Sequence, residues 1–194
     1  VSTYQAVSGA GKDGIDELLD EAGAIAKGES YTPKILPSAS LPKHYQIAYN
    51  VIPQIDVFLD NDYTKEEMKM VNETHKIFHD DTIAITPTAV RVPVIRSHAE
   101  SIYIETEDHL TTEQVKKAIE DFKGAVLVDD IKNMIYPMPL DTSNKTDVAV
   151  GRIRKDLYAE NGINLWACGD QIRKGAALNA LQIAEYMIQY DMIK

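Results

Sequence analysis

Four stretches of the chain repeat apolar residues at the i, i+3, i+4, i+7 spacing of an amphipathic helix. The first covers residues 13–27 and is expected to stop at Gly28, a residue that readily ends helices. Its predicted inward stripe consists of Ile15, Leu18, Leu19, Ala22, Ile25 and Ala26. The fourth begins near Asp170 and is expected to bury Ala177, Leu181, Ala184 and Ile188.

Two capping boxes, Thr64-Lys-Glu-Glu67 and Thr111-Thr-Glu-Gln114, predict the starts of the two middle helices. In such a box the Thr hydroxyl and the acid or amide three residues later bond to each other's free backbone N–H groups. The helix that starts at Thr64 is expected to end near His79. The helix that starts at Thr111 is expected to turn Val115, Ala118, Ile119 and Phe122 inward.

Residues rich in Val, Ile, Thr and Tyr predict strands between the helices. The two central ones, 83–95 and 101–105, are expected to pair around the polar break 96–100. Further strands are predicted at 125–128, 147–153 and 164–167. Four prolines within 29–60 predict an irregular segment there, with brief strands around 46–52. The order of elements favours one α+β domain over 1–194, with helices packed on a mixed, largely antiparallel sheet.

Charge and cysteine usage narrow the function classes. A net charge of -10 without a Lys/Arg block argues against nucleic acid and against anionic membranes as partners. Small molecules or other protein chains are the expected partners. The single cysteine, Cys168, and the lack of a Cys/His zinc pattern indicate a reducing compartment, with the cytoplasm as the default, and no metal site.

The first eleven residues read as a strand that runs into Ser8-Gly-Ala-Gly11 and then a helix. A chain that starts in mid-strand is expected to be an excised fragment. Glycines before a helix allow close backbone approach to an anion or cofactor, because N–H groups at a helix start are free to donate. A plain tight turn is the alternative.

Five polar residues are candidates for chemistry. Arg91 suits a carboxylate, and His98 titrates where acid/base work at neutral pH needs it; the two converge only if the chain turns between them. Glu66 and Lys69 share a helix face, and Gln5 lies just before the glycine turn. Each candidate also has an interpretation without chemistry. Arg91 and His98 could be two unrelated polar residues, and Glu66 and Lys69 a solvated surface pair. Gln5 could be a polar residue whose hydrogen bonds are met within the sheet.

Several ordered motifs resemble the aspartate-semialdehyde dehydrogenases over essentially the whole chain. They are Ser-Thr-Tyr-Gln-Ala-Val-Ser-Gly-Ala-Gly at 2–11, Asn-Val-Ile-Pro-Gln-Ile-Asp at 50–56, Glu-Glu-Met-Lys and Glu-Thr-His-Lys within 66–76, Val-Arg-Val-Pro-Val at 90–94 followed by His98 and Glu100, Val-Gly-Arg-Ile-Arg-Lys-Asp at 150–156, and Arg-Lys-Gly-Ala-Ala-Leu-Asn at 173–179. The resemblance implies a C-terminal substrate-binding and dimerisation domain like that of glyceraldehyde-3-phosphate dehydrogenases. It also implies the NADP-dependent reductive dephosphorylation of L-4-aspartyl phosphate to L-aspartate 4-semialdehyde, a step in the biosynthesis of lysine, methionine, threonine and isoleucine.

The resemblance also implies a role for each candidate. His98 would be the acid/base, Gln5 would orient the substrate, and Arg91 would hold its α-carboxylate. Glu66 would face the substrate ammonium and Lys69 the phosphate. Cofactor contacts would come from Ser8, Gly9, Ala10, Gly11 and Gln171.

The nucleophilic cysteine and most of the NADP site would lie in an N-terminal half that this chain lacks, so the isolated chain is expected to be inactive. Residues 171–194 would pack on that half and are expected to show an unmet apolar face here. A homodimer through this domain is expected, with a tetramer left open. An N-acetyl-glutamyl-phosphate reductase-like enzyme and a non-catalytic dimerisation module are the alternatives.

Overall fold

A computed structural model describes residues 1–193, and the chain forms two compact units, Val1–Arg96 and Ser97–Lys194. Helices and a mixed set of parallel and antiparallel strands make up both, which confirms the α+β class. Within the described residues, every helix is too short or too polar to cross a lipid bilayer.

The first unit contains two parallel strands and two long helices. Strand β1 (Ser2–Ala6) enters a 3-10 helix (Val7–Ala10) and then α1 (Gly11–Ala26), as the glycine turn predicted. Helix α2 (Lys65–Phe78) starts at the predicted capping box, and both reciprocal hydrogen bonds are formed. Strand β2 (Thr88–Val92) pairs with β1 in parallel, with Gln5 opposite Arg91.

Two glutamates on α1 hold the proline-rich segment that follows it. Glu17 accepts hydrogen bonds from the backbone N–H groups of residues 34–36 at 2.6–2.9 Å. Glu21 accepts from the N–H groups of Ile47 and Ala48 at 2.8 Å. Both side chains are buried. Their carboxylates therefore accept the hydrogen bonds of backbone N–H groups that have no partner in a strand.

The prediction of brief strands around 46–52 was wrong, because the Glu21 carboxylate takes the place of a strand ladder there. Ile52 alone forms a bridge, in which its N–H and C=O pair with those of Arg91. The expected inward position of Leu19 was also wrong, since this side chain is exposed. Its neighbour Leu18 packs in a core with Val7, Leu36, Ile47 and Ile52.

The second unit contains the longer strands. Strand β6 (Gly162–Gly169) lies between β3 (His98–Glu105) and β5 (Val148–Lys155) and runs antiparallel to both, while β4 (Ala125–Leu127) pairs with β5 in parallel. The predicted pairing of the two central strands was therefore wrong, because β2 pairs with β1 and β3 pairs with β6. The α-helices of this unit are α3 (Thr112–Asp121), α4 (Pro139–Thr142) and α5 (Leu178–Gln189).

Helix α3 covers one face of this sheet. Its second capping box is formed as predicted, and Val115 and Ile119 pack against the core formed by Val150, Ile153, Ile163, Leu165 and Ala167. The inward position expected for Phe122 was wrong. Phe122 is the C-cap with extended backbone, and its ring is exposed because the helix has already ended.

The last helix starts later than predicted and buries none of its stripe. A π-helical turn (Arg173–Ala177) precedes α5, and no side chain of α5 is buried. The prediction that Leu181 and Ile188 are buried was wrong, since both side chains are more than half exposed. Helix α5 therefore exposes apolar side chains, among them Leu181, Ile183 and Ile188.

Candidate functional site

Four of the predicted site residues meet in the first unit, in what we call the polar cluster: Gln5, Glu66, Lys69 and Arg91. Gln5 and Arg91 are register partners on β1 and β2, so their side chains leave the same face of the strand pair. Glu66 and Lys69 lie in the first turns of α2, one turn apart.

Helix α2 is placed against β2 by its capping residue. Glu67 Oε2 accepts from the N–H of Thr64 at 2.7 Å, and its Oε1 accepts from the N–H of Ala89 at 2.9 Å. The same buried carboxylate thus caps the helix and ties it to the strand that carries Arg91. The capping pattern identified Glu67, but only tertiary contact reveals the bond to Ala89.

Hydrogen bonds connect the members of the polar cluster. Gln5 Nε2 donates to Glu66 Oε1 at 3.3 Å, and Lys69 Nζ donates to Glu66 Oε2 at 3.0 Å. The bond with Glu66 raises the pKa of Lys69, against a smaller opposing effect of burial. Each Glu66 oxygen therefore has its own donor, one neutral and one cationic.

Arg91 is the most deeply buried cation of the polar cluster. Burial lowers the pKa of its guanidinium to about 10, against an opposing effect of the Glu66 charge, so the group stays protonated at neutral pH. Its Nη1 donates to the Ala6 carbonyl at 2.8 Å, whereas its Nε is buried with no hydrogen-bond partner among residues 1–193. A buried guanidinium with an unused N–H suits an anionic ligand such as a carboxylate.

His98 belongs to the second unit, where it is the first residue of β3, opposite Gly169 of β6. Its ring is half-buried. The chain turns sharply just before it, because Ser97 has a φ of 78°. A break between Arg91 and His98 was predicted at this point, and it is confirmed.

The predicted cofactor residues fall in both units. Ser8 is buried in the 3-10 helix, whereas Gly9 is exposed and Ala10 is half-buried. Gly11 has a φ of 79° and nothing within 4 Å of the position that a Cβ would occupy, so a ligand can approach the backbone here. No side chain caps α1 at Ala10.

Gln171 lies in the turn after β6, where its Oε1 accepts a hydrogen bond from the N–H of Ser97 at 3.1 Å. This bond was not predicted, because a contact between residues 74 apart in the chain leaves no signal in the sequence.

Cys168 has the environment of a structural thiol. Its side chain is buried in β6, and burial raises its pKa to about 12. Such a thiol is almost never ionised at neutral pH and is a poor nucleophile. Across residues 1–193, no group of three or more His, Cys, Asp and Glu side chains is placed to hold a metal ion.

Fold, polar cluster and motifs agree with one class of protein. The family described as "Semialdehyde dehydrogenase, dimerisation domain" matches residues 1–174, and the chain belongs to this family. Curated relatives that match the whole chain are named aspartate-semialdehyde dehydrogenase. The one from Bacillus subtilis (strain 168) is 49% identical over 194 residues, which are 100% of this chain and 56% of that protein. The chain spans about half the length of the curated relatives it matches.

Solved structures show the same relationship. Aspartate semialdehyde dehydrogenase II from Vibrio cholerae, complexed with ASA, is 46% identical with a TM-score of 0.87 and covers 97% of this chain and 53% of that one. An aspartate semialdehyde dehydrogenase from Candida albicans, solved with NADP, is 22% identical with a TM-score of 0.65 over 99% of this chain and 50% of its own. At that identity the second neighbour supports the fold alone.

Proposed function

We propose that this chain is the dimerisation half of an NADP-dependent aspartate-semialdehyde dehydrogenase, called the whole enzyme below. The reaction is the reductive dephosphorylation of L-4-aspartyl phosphate to L-aspartate 4-semialdehyde, toward lysine, methionine, threonine and isoleucine. Family membership and the relatives' names support the class of reaction. A cytoplasmic location and a homodimer through this domain are part of the proposal, and the family description supports the dimer.

The observation that carries the substrate assignment is the polar cluster. An amino acid with a phosphorylated side chain has two anionic groups and one cationic group. The cluster offers the buried guanidinium of Arg91, the carboxylate of Glu66 and the half-exposed ammonium of Lys69. We assign Arg91 to the α-carboxylate, Glu66 to the α-ammonium and Lys69 to phosphate, with Gln5 holding Glu66 and the substrate in place.

His98 is assigned the proton transfers, to and from the nucleophilic thiol and the oxygen of the thiol adduct. An imidazole exchanges protons near neutral pH, which suits this work. The thiol itself belongs to a part of the whole enzyme outside these residues, since Cys168 is buried and un-ionised. NADPH, when bound, supplies the hydride; Ser8–Gly11 and Gln171 are the residues assigned to hold it.

The test is steady-state kinetics of the whole enzyme, run from aspartate semialdehyde, phosphate and NADP by the absorbance of NADPH. His98→Asn should lower kcat by roughly a hundredfold or more, because general acid/base catalysis contributes that much. Arg91→Leu should mainly raise the KM for the semialdehyde. His109→Asn, at an exposed histidine beside Lys155, is the matched control and should leave both constants unchanged.

Two outcomes would overturn the assignment. Wild-type kcat in His98→Asn would remove His98 from the chemistry. Faster turnover of N-acetyl-glutamate semialdehyde than of aspartate semialdehyde would favour the acyl-phosphate reductase alternative. That substrate has no free ammonium for Glu66 to bind.

A further inference from the structure

The residue before His98 is held in a conformation that it does not favour. Ser97 is completely buried and has a φ of 78°, in the left-handed region where a Cβ meets the backbone. Such a conformation persists only where the surroundings hold it, and it is concentrated at functional sites. The direction in which β3 leaves Ser97, and with it the position of His98, depends on this one residue.

Two side chains hold Ser97. Gln171 Oε1 accepts from its N–H at 3.1 Å, and Ser97 Oγ lies 2.5 Å from Thr142 Oγ1. The Thr142 hydroxyl donates to the Met138 carbonyl at 3.1 Å, so the serine hydroxyl is left to donate to Thr142. We call Gln171 and Thr142 the Ser97 clamp.

The clamp is itself anchored. Asp170 is 1% exposed, and its carboxylate accepts hydrogen bonds from the N–H groups of Asn144 at 2.7 Å, Ile172 at 3.0 Å and Arg173 at 3.2 Å. These bonds fix the turn that carries Gln171 and tie it to the end of α4, where Thr142 lies. Because His98 also pairs with Gly169, the histidine and its clamp share one anchor at the end of β6.

We propose that Gln171 is a positioning residue for His98, acting through Ser97. The inference rests on the proposed role of His98 and adds to Gln171 a second task beside its assigned contact with NADP. A proton-transfer group must be held within a fraction of an ångström, and a misplacement of about 1 Å can cost a hundredfold in rate. Without the clamp, Ser97 would relax toward a favoured φ and swing the start of β3.

A double-mutant cycle in the whole enzyme tests this link. Gln171→Met removes the acceptor for the Ser97 N–H and keeps the size of the side chain. Ser97→Gly removes the Cβ, so that a φ of 78° no longer needs to be enforced. If the clamp acts through Ser97, Gln171→Met lowers kcat by about tenfold in the Ser97 background and by clearly less in the Ser97→Gly background.

Further readouts separate positioning from cofactor binding and from folding. Gln171→Met should shift the pH profile of kcat in the limb that His98→Asn abolishes. Thr142→Val should lower kcat in the same way, whereas Thr106→Val, at a half-buried threonine whose hydroxyl donates to the Asp108 carbonyl, should not. Thermal unfolding of each variant identifies any loss that comes from misfolding, and the cycle is evaluated on the folded proteins.

An identical fall in kcat in both backgrounds, or a change confined to the KM for NADP, would overturn the inference and leave Gln171 as a cofactor contact. Failure of the proposed function looks different. In that case His98→Asn itself keeps wild-type kcat, whatever the cycle shows.

Discussion

Gln5 and Glu66, which are 61 residues apart in the chain, meet through a hydrogen bond of 3.3 Å from Gln5 Nε2 to Glu66 Oε1. The bond joins the end of strand β1 to the first turn of helix α2, so a strand and a helix present one polar surface. Glu66 is also the charge that opposes the effect of burial on Arg91. The orientation of this carboxylate therefore links the neutral and cationic members of the polar cluster.

Gln5→Leu tests this link in the whole enzyme. The substitution removes the neutral donor to Glu66 and leaves the carboxylate to Lys69 alone. We expect the KM for the semialdehyde to rise by about tenfold, which corresponds to the loss of roughly one charge-assisted hydrogen bond. The KM for phosphate should change little. Gln54→Leu is the control, because the Gln54 side chain donates a hydrogen bond to the Asp56 carbonyl in its own loop. Equal increases in both KM values would contradict the assignment of Glu66 to the substrate ammonium and of Lys69 to phosphate.

Cys168 sets the expectation for the isolated chain. Because burial raises the pKa of its thiol to about 12, only about one molecule in ten thousand carries a thiolate at pH 8. The purified 194-residue chain with aspartate semialdehyde, phosphate and NADP should give no increase in NADPH absorbance. Cys168→Ser in the whole enzyme should retain activity. Turnover by the isolated chain, or its loss in Cys168→Ser, would contradict the structural reading of this thiol.

Glu21 makes the stability of the first unit depend on pH. Burial raises the pKa of its carboxyl above the ordinary value of 4.5, although the N–H donors of Ala48 and Ile47 oppose the shift. The folded chain then binds this proton more tightly than the unfolded chain. Its contribution to the free energy of unfolding is greatest below pH 4.5 and declines as the pH rises through the raised pKa.

Urea unfolding of wild type and Glu21→Gln over a series of pH values measures this effect. The amide keeps an acceptor oxygen but cannot titrate, so wild type should lose stability relative to Glu21→Gln as the pH rises from about 4.5. Glu29→Gln, at an exposed position of the following loop, should give a pH-independent difference. A constant difference for Glu21→Gln would show that burial does not perturb this carboxyl.

Helix α5 should be less protected than helix α1 in the isolated chain. None of its side chains is buried, whereas α1 buries Leu18, Glu17 and Glu21. In hydrogen exchange of the dilute 194-residue chain, α5 amides should exchange much faster than those of α1. In the whole enzyme, where we propose that residues 171–194 pack on the nucleotide-binding half, protection of α5 should rise. Equal protection of the two helices in the isolated chain would contradict this prediction.

Local rules predicted most of the elements. Both capping boxes formed, and the helix starting in the glycine turn and the strands β4, β5 and β6 lie close to their expected positions. These features depend on periodicity and on bonds between residues three or four apart, which can be read from the chain directly. Failures occurred where a distant group replaced the local pattern. The segment 46–52 looked like strand, but Glu21 satisfies two of its N–H groups.

The sequence by itself determined the class of fold, the capped starts of α2 and α3 and, through its motifs, the family. It also identified five candidate site residues, Gln5, Glu66, Lys69, Arg91 and His98. Only the tertiary structure decided that the first four form one cluster, since a register between β1 and β2 and a bond from Glu67 to Ala89 bring them together. Only the structure showed the left-handed Ser97 and its clamp, because backbone strain depends on contacts between residues far apart in the chain.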